Sequence, residues 1–477
     1  MSHSVQALIL AAGKSTRFKT ETSKLSFPLC GQEMILYPIK LLDLMHIPTT
    51  VIIGHHKEVI QELITKHAFP VTFVEQTEQR GTGHALLCSQ PLWHAEHVLV
   101  MNGDMPLVNN DIIQTLIDQH MSAHAAITFV TAHNGDPSIK GYGRVVINQE
   151  KISIIEERNF IGDTTQHCCV NAGIYLIKRS FLEKIIPLLT PNELTHEIYI
   201  TDLIKLASDA HERVETVSAP FDQIRGINTL RELWIAEQIK KSELINFWMS
   251  QGVRFLAPHN IHIDHDVTIG SDTVISAHVQ LLSGTRIGKN CFVDAFSVLR
   301  QSTLHDQVIV HSHSVINQST IHEKAQVGPF AHIRNHSSIG QEAVIGNFVE
   351  VTASTIGKKS KAKHLSYLGN SQVGASVNIG AGTITCNYNG IQKHTTTIQD
   401  NSFIGSNSSL VAPVTIGAGA IIGAGSVVTK DVPDDALSFT RPPQIIKEQY
   451  APYLKERYRA EKAGSRIPAS RVKKKEL

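Results

Sequence analysis

Between residues 253 and 437 an aliphatic residue returns at every sixth position, and no other feature of the 477-residue chain restricts its fold so tightly. Ile263, Ile269, Ile275, Leu281, Ile287, Val293 and Leu299 stand six apart. The register shifts by one residue near Leu304 and again near Ile321, then runs through Val327, Ile333, Ile339, Ile345 and Val351. A third run links Ile398, Ile404, Leu410, Ile416, Ile422 and Val428. Glycine often follows, as in Ile269-Gly270 and Ile404-Gly405. So short a period means a solenoid, and hexapeptides indicate a parallel β-helix with the aliphatic residue inside a triangular core. Three hexads make one turn of about 18 residues, which leaves room for roughly ten coils. Residues 387–394 lose the period and are expected to leave the coil as a loop. The period is silent on handedness.

The first 227 residues follow a different rule. Short apolar strands at 5–10, 50–53, 71–74, 98–101 and 127–131 alternate with helical patterns at 34–46, 57–66 and 111–120. That alternation predicts a Rossmann-like α/β domain with a mainly parallel sheet, whose ligands bind beyond the carboxyl ends of the strands. Residues 229–251 read as one connecting helix, with Gly252 at its C-terminal stop. Its Trp234 and Trp248 are expected to pack against neighbours. The chain thus divides at 1–227, 228–252, 253–437 and 438–477, the last part ending in a basic, solvated tail at 472–475.

Composition narrows the partners. Hydrophobic residues at 42% and charged residues at 18% fit globular domains, and a length of 477 requires more than one. A net charge of +1 gives no electrostatic reason to expect nucleic acid or membrane. No apolar run approaches the roughly 20 residues of a bilayer span, and no signal-peptide pattern opens the chain, so a cytoplasmic location is expected. Six scattered cysteines without Cys-x-x-Cys spacing argue against structural zinc and disulfides. Most of the 26 histidines fall in polar positions without metal-ligand spacing.

After the first strand comes Leu10-Ala11-Ala12-Gly13-Lys14-Ser15-Thr16-Arg17-Phe18. Small residues let a turning backbone bring its N–H groups to phosphates, and Arg17 and Lys24 add charge. This is neither the dinucleotide fingerprint nor the Walker motif. The segment resembles the signature loop of nucleotidyltransferases that act on sugar phosphates. Gln76 and Arg80-Gly81-Thr82-Gly83-His84-Ala85 resemble the nucleobase loop of N-acetylglucosamine-1-phosphate uridyltransferases. The resemblance implies that Leu10, Ala11, Ala12, Gly13, Arg17 and Lys24 hold the nucleotide. Uracil recognition falls on Gln76, Gly81 and Thr82. Asp104 of Asn102-Gly103-Asp104 and Asn228 of Gly226-Ile227-Asn228 fall on the family's Mg²⁺ ligands, whereas unaided Asn228 reads as a helix cap. Gly143, Glu157 and Asn171 fall on the sugar side, with Glu156 an open alternative to its neighbour. Ser15 stands where the family has Gly, and Asn102 where it has Tyr.

In the second half, Lys363-His364-Leu365-Ser366-Tyr367-Leu368-Gly369 and the run from Asn378 to Gly390 resemble the acetyltransferase domain of the bifunctional uridyltransferase/glucosamine-1-phosphate acetyltransferases. The resemblance therefore covers nearly the whole chain, and implies a left-handed β-helix, a homotrimer and sites between subunits. The base falls on His364, a side chain suited to proton transfer near neutral pH. The sugar phosphate falls on Arg334, Tyr367, Asn378 and Lys393. Acetyl-CoA falls on Ala381, Asn387, Tyr388, Ser406, Ala424 and Arg441, with the Ala381 N–H as oxyanion donor. One departure weakens this half: Thr352 stands where the family has a phosphate-binding Lys. Synthesis of UDP-N-acetylglucosamine from UTP, acetyl-CoA and amino-sugar phosphates is the expected function. Two readings stay open beside it: a sugar-phosphate nucleotidyltransferase whose β-helix only assembles or regulates, and a scaffold carrying an inactive nucleotide fold.

Overall fold

The computed structural model describes residues 4–133, 141–148, 151–157, 160 and 168–464; the basic segment 472–475 lies outside them. Compactness divides the chain into two units, one through Glu342 and one from Ala343 onward, a division that falls inside the hexapeptide region.

In the first unit, nine strands form one sheet: β1 (Val5–Ala11), β2 (Thr49–Ile53), β3 (Val71–Glu75), β4 (His97–Asn102), β5 (Ile127–His133), β6 (Arg144–Asn148), β7 (Lys151–Ile155), β8 (Cys169–Lys178) and β9 (Val214–Ser218). Their order is β9-β5-β8-β4-β1-β2-β3, with β6 and β7 joined through β8. β1 lies parallel to β2 and β4, with Leu8 opposite Thr50 on one side and Val100 on the other. β8 runs antiparallel to β4 and β5, and β7 antiparallel to β6, so the expected parallel sheet carries two reversed strands, β8 and β7. The central strands read as continuous apolar runs because both faces are covered. Ala7, Ile9 and Ala11 enter one core and Leu8 the other, as a period of two requires. Helices α1 (Leu36–Leu44), α2 (Lys57–Lys66), α3 (Thr82–Ser89), α4 (Asn110–Ala123), α5 (Arg179–Ile185) and α6 (Asp202–Asp209) connect these strands. On α2, Ile60 and Ile64 are fully buried one turn apart.

The connecting helix α7 (Leu230–Ser250) starts where Thr229 accepts the Glu232 N–H at 3.2 Å, and Gly252 follows its end at φ +85°. Trp234 does not pack as expected; it is 59% exposed. The buried residues of α7 are Ala236 and Ile245. Trp234 is two positions from Ala236, about 200° around the helix, and so faces away from the core that Ala236 enters. Trp248 is half-buried, edge-on to Phe247 at 5.0 Å.

In each unit the hexapeptides form short parallel strands in three sheets. In the first unit Ile263, Leu281, Leu299, Ile316 and Ile333 pair in succession, and in the second Ile345, Ala362, Ile379, Ile404 and Ile422 do the same or stack through it. Every aliphatic hexad position identified in the sequence is at most 5% exposed. Each strand is two to four residues long because the chain turns a corner within every hexad. Gly270 has no room for a side chain: a Cβ there would lie 2.6 Å from the Gly288 carbonyl carbon of the next coil. Rings on one corner of the first unit, His278, Phe296, His313 and Phe330, stack at 4.8–4.9 Å, the spacing of paired strands. Several of the histidines are thus ladder members, and no group of three metal-ligating side chains occurs among the described residues. All six cysteines are free thiols. Residues 387–394 leave the coil, held by pairing of Tyr388 with Lys393. No helix among the described residues is long and apolar enough to cross a membrane.

At the amino end of β4, far along the strand from Asn102, two buried imidazoles meet. His97 Nδ1 lies 3.0 Å from His120 Nε2, and His120 Nδ1 lies 2.8 Å from the Thr128 hydroxyl. Burial, with the neighbouring His97 and Lys178, pushes His120 down to about 3. The unfolded chain takes up this proton near pH 6.5, so the contribution to stability is intact above that pH and is lost as pH falls toward 3. Urea denaturation at pH 6.5 and pH 5 should show the unsubstituted protein losing about 2 kcal/mol more than His120→Phe over that interval. Equal losses in both would show that His120 does not carry the acid sensitivity.

Candidate functional site

The carboxyl ends of β1 and β4 open onto a cavity of about 420 Å³. Leu10, Ala11, Ala12, Gly13, Lys24, Gln76, Gly81, Thr82, Asn102 and Asp104 line it, which brings together most of the nucleotide residues expected from sequence. A Cβ on Gly13 would meet no protein atom within 4 Å, so this turn borders open space of the kind phosphates need. Ser15 adopts a left-handed conformation, φ +53°, which explains why glycine suits this position. Its hydroxyl accepts the Lys24 N–H at 3.4 Å and ties the loop to the next turn.

Four side chains meet at the end of β4. The Lys24 ammonium donates to Asp104 Oδ2 and, at 2.7 Å, to Asn228 Oδ1. Arg17 donates to the same Asn228 oxygen at 2.8 Å. Asp104 Oδ1 is buried with no hydrogen-bond partner. Asn228 is not the helix cap, because Thr229 takes that role and frees the Asn228 side chain to face Lys24. The Ile227 N–H donates to the Asp104 carbonyl at 3.0 Å, which fixes the two oxygen-bearing residues side by side. An orphaned carboxylate oxygen beside an amide oxygen suits a hard divalent cation that completes its shell with phosphate and water. Tyr142, whose hydroxyl accepts the Gly226 N–H at 3.0 Å, is pushed up to about 12 by burial and stays a neutral phenol.

On the sugar side, Asn171 donates to the Tyr175 hydroxyl at 2.6 Å and accepts the Gly173 N–H at 3.1 Å. The Gly143 carbonyl accepts the Asn171 N–H at 2.9 Å. The two glutamates part company. Glu157 accepts the Gly141 N–H, whereas Glu156 accepts the Thr201 hydroxyl at 2.8 Å and turns toward Gly143. The alternation of side chains at a strand end separates neighbours in this way, and a short segment of sequence could not assign it. Glu197 and Gln79 also line the cavity without having been singled out.

The second unit carries the other set. His364 stands opposite Asn347 in register, and its Nδ1 donates to the Asn347 amide oxygen at 2.7 Å. That contact leaves Nε2 as the lone-pair nitrogen of an exposed imidazole. Asn347 was not identified as a functional residue in the sequence; only coil-to-coil register reveals it. Asn378 is paired with Lys361 and Tyr367 with Glu350. Ala381, Ser406 and Ala424 follow three paired positions and stack on one corner: the Asn407 N–H donates to the Ala381 carbonyl at 2.7 Å and the Gly425 N–H to the Ser406 carbonyl at 2.8 Å. Arg441 extends the line by donating to the Ala424 carbonyl at 2.6 Å. Asn387 donates to Asn370 at 2.7 Å, while Tyr388 and Lys393 lie on the exposed loop. Thr352 is 3% exposed, next along its strand to the inward hexad residue Val351. Arg334 belongs to the first unit, half-buried on a strand paired with the coil before it.

An α/β domain with a cavity at the carboxyl ends of its strands is thus followed by a hexapeptide coil that carries an exposed imidazole. The profile of the MobA-like NTP transferase domain matches residues 7–197, and that of the bacterial transferase hexapeptide matches 319–353 and 395–430. The chain is 38% identical to the bifunctional protein GlmU of Koribacter versatilis over 93% of its own length and 96% of that protein's. It is 37% identical to the GlmU proteins of Geotalea uraniireducens and Thermotoga maritima, each of which it covers to 98%. The chain belongs to the GlmU family.

Because Lys24 bridges the two candidate ligands, a divalent ion must compete with its ammonium. Lys24→Met keeps the length and removes the charge. Electron paramagnetic resonance of Mn²⁺ with nucleotide-free protein should show about tenfold tighter binding than in the unsubstituted chain. Unchanged or weaker binding would exclude that competition.

Proposed function

We infer that this chain is a bifunctional enzyme of UDP-N-acetylglucosamine synthesis, with acetyl transfer in the coil and uridylyl transfer in the α/β domain. The observation that carries the second step is the pairing of Asp104 and Asn228 beside a cavity that also holds Gln76, Lys24 and the 10–13 turn. In that step an oxygen of the sugar 1-phosphate attacks the α-phosphorus of UTP, and the bond to the bridging oxygen breaks to release pyrophosphate. Such chemistry needs alignment and neutral charge more than a protein nucleophile. Arg17 and Lys24 bring two positive charges to the triphosphate, and the loop N–H groups hold it. Asp104 and Asn228 would hold a Mg²⁺ ion, which would neutralise charge on the phosphates. Glu156 is favoured over Glu157 on the sugar side because its carboxylate faces Thr201 and Gly143.

In the coil, the amine of glucosamine 1-phosphate attacks the thioester carbon of acetyl-CoA. His364 Nε2 takes the amine proton, the carbon–sulfur bond breaks, and CoA leaves. Asn347 holds the ring in the tautomer that this requires. The stacked Ala381, Ser406 and Ala424 with Arg441 offer an extended track for CoA. In the second unit Tyr367, Asn378 and Lys393 are left to meet the sugar phosphate, since buried Thr352 supplies no charge. A coil that serves only assembly is not favoured: relatives named as bifunctional align with 93–94% of the chain. An inactive scaffold is opposed by the intact set of Arg17, Lys24, Asp104 and Asn228. A homotrimer in the cytoplasm, with functional divisions near 227, 252 and 437, completes the reading.

The two activities should separate. Asp104→Ala is expected to lower pyrophosphate release from UTP at least a hundredfold and leave thiol release from acetyl-CoA intact; His364→Ala should do the reverse. Loss of both activities in either folded variant would refute two independent sites.

A further inference from the structure

Gln76 is 3% exposed, yet its amide borders the nucleotide cavity. Its Nε2 lies 3.0 Å from the Gly81 carbonyl and 3.1 Å from His84 Nδ1. A carbonyl can only accept, so the NH₂ end of the amide must face Gly81. The second amide hydrogen then points to His84 Nδ1, which must act as acceptor and leave the ring proton on Nε2. Both Gln76 donors are thereby committed to the protein, and Oε1 is the atom left to meet a base. Rotating the amide end for end would set its oxygen against the Gly81 carbonyl oxygen, which no change of His84 tautomer relieves.

We propose that His84 is a positioning residue for base selection: with the Gly81 carbonyl, it locks Gln76 so that the cavity presents an acceptor to the ring nitrogen of a pyrimidine. Uracil carries N3–H at that place and satisfies the acceptor. Cytosine carries a bare N3 lone pair there and is repelled. The site therefore prefers uridine over cytidine triphosphate through a residue that need not touch either. The local sequence builds this arrangement. Gly81, at φ +99°, turns the chain into α3, and Gly83 allows close approach to Ile198, whose carbonyl accepts the Gly83 N–H at 2.8 Å. His84 is then the third residue of α3 and projects back toward Gln76, with Cys88 one turn on at 3.9 Å from its Nδ1. This inference rests on the uridylyl-transfer reading of the same cavity.

The test compares kcat/KM for UTP and CTP, by pyrophosphate release with saturating N-acetylglucosamine 1-phosphate, in the full-length protein. His84→Phe removes the acceptor, whereas His84→Asn places an amide oxygen near the position of Nδ1. The UTP/CTP ratio should fall about tenfold in His84→Phe, mainly through KM for UTP, and be retained in His84→Asn, as expected for one lost hydrogen bond. His84→Ala makes the same comparison should the phenylalanine variant not fold. A ratio unchanged in the active Phe or Ala variant overturns the proposal while leaving uridylyl transfer standing. An equal fall in the Asn variant also overturns it, because packing would then be the cause. Absence of turnover with UTP in the unsubstituted protein would instead remove the uridylyl-transfer reading itself.

Discussion

The carboxylate of Asp104 organises the first unit. It sits at the end of β4, with one oxygen held by Lys24 and the other buried without a partner. A buried charge of this kind is tolerated only where opposite charge or a ligand meets it. That demand draws in the loop carrying Arg17 and Lys24 from one side and the 226–228 segment from the other. The sheet makes the meeting possible because β1 and β4 are parallel neighbours and release their loops at the same edge. Ligands of open α/β sheets bind at such edges, where loops of distant sequence converge.

The coil solves a different problem by repetition. Each aliphatic hexad residue is inside, so the intervening residues are forced to corners and faces that recur with every turn. Residues at equal positions then stack along the axis. The line from Ala381 through Ser406 and Ala424 to Arg441 is a direct result, and so is the contact of Asn347 with His364. One-dimensional stacking of this sort gives long, regular surfaces suited to long ligands. It also accounts for the histidine and phenylalanine ladder, whose spacing is that of the strands beneath.

Much of this was legible in the residues. The hexad positions named from their spacing are buried, the helix from 229 to 251 begins and ends at its Thr229 and Gly252 signals, and the 10–13 turn lies beside Gln76, Gly81, Thr82 and Asp104. What escaped had no local signal. Glu156 and Glu157 are equivalent as letters, and a half-turn of backbone decides which faces inward. Asn347 carries no mark of function until register places it opposite His364. Trp234 is a large apolar residue that composition sends to the core, but it lies across α7 from Ala236, the residue of that stretch that enters the core.

The amino-acid order by itself determined the kinds of element in this protein and the chemistry its loops can offer. Periodicity acts on each segment alone: a repeat of six can be buried only by coiling, and alternating strands and helices only by layering. Tertiary structure decided which polar atoms meet, which hydrogen goes to which acceptor, and which oxygen is left without one. Those outcomes depend on distances of a few tenths of an ångström between residues far apart in the chain, and no pattern along one dimension encodes them.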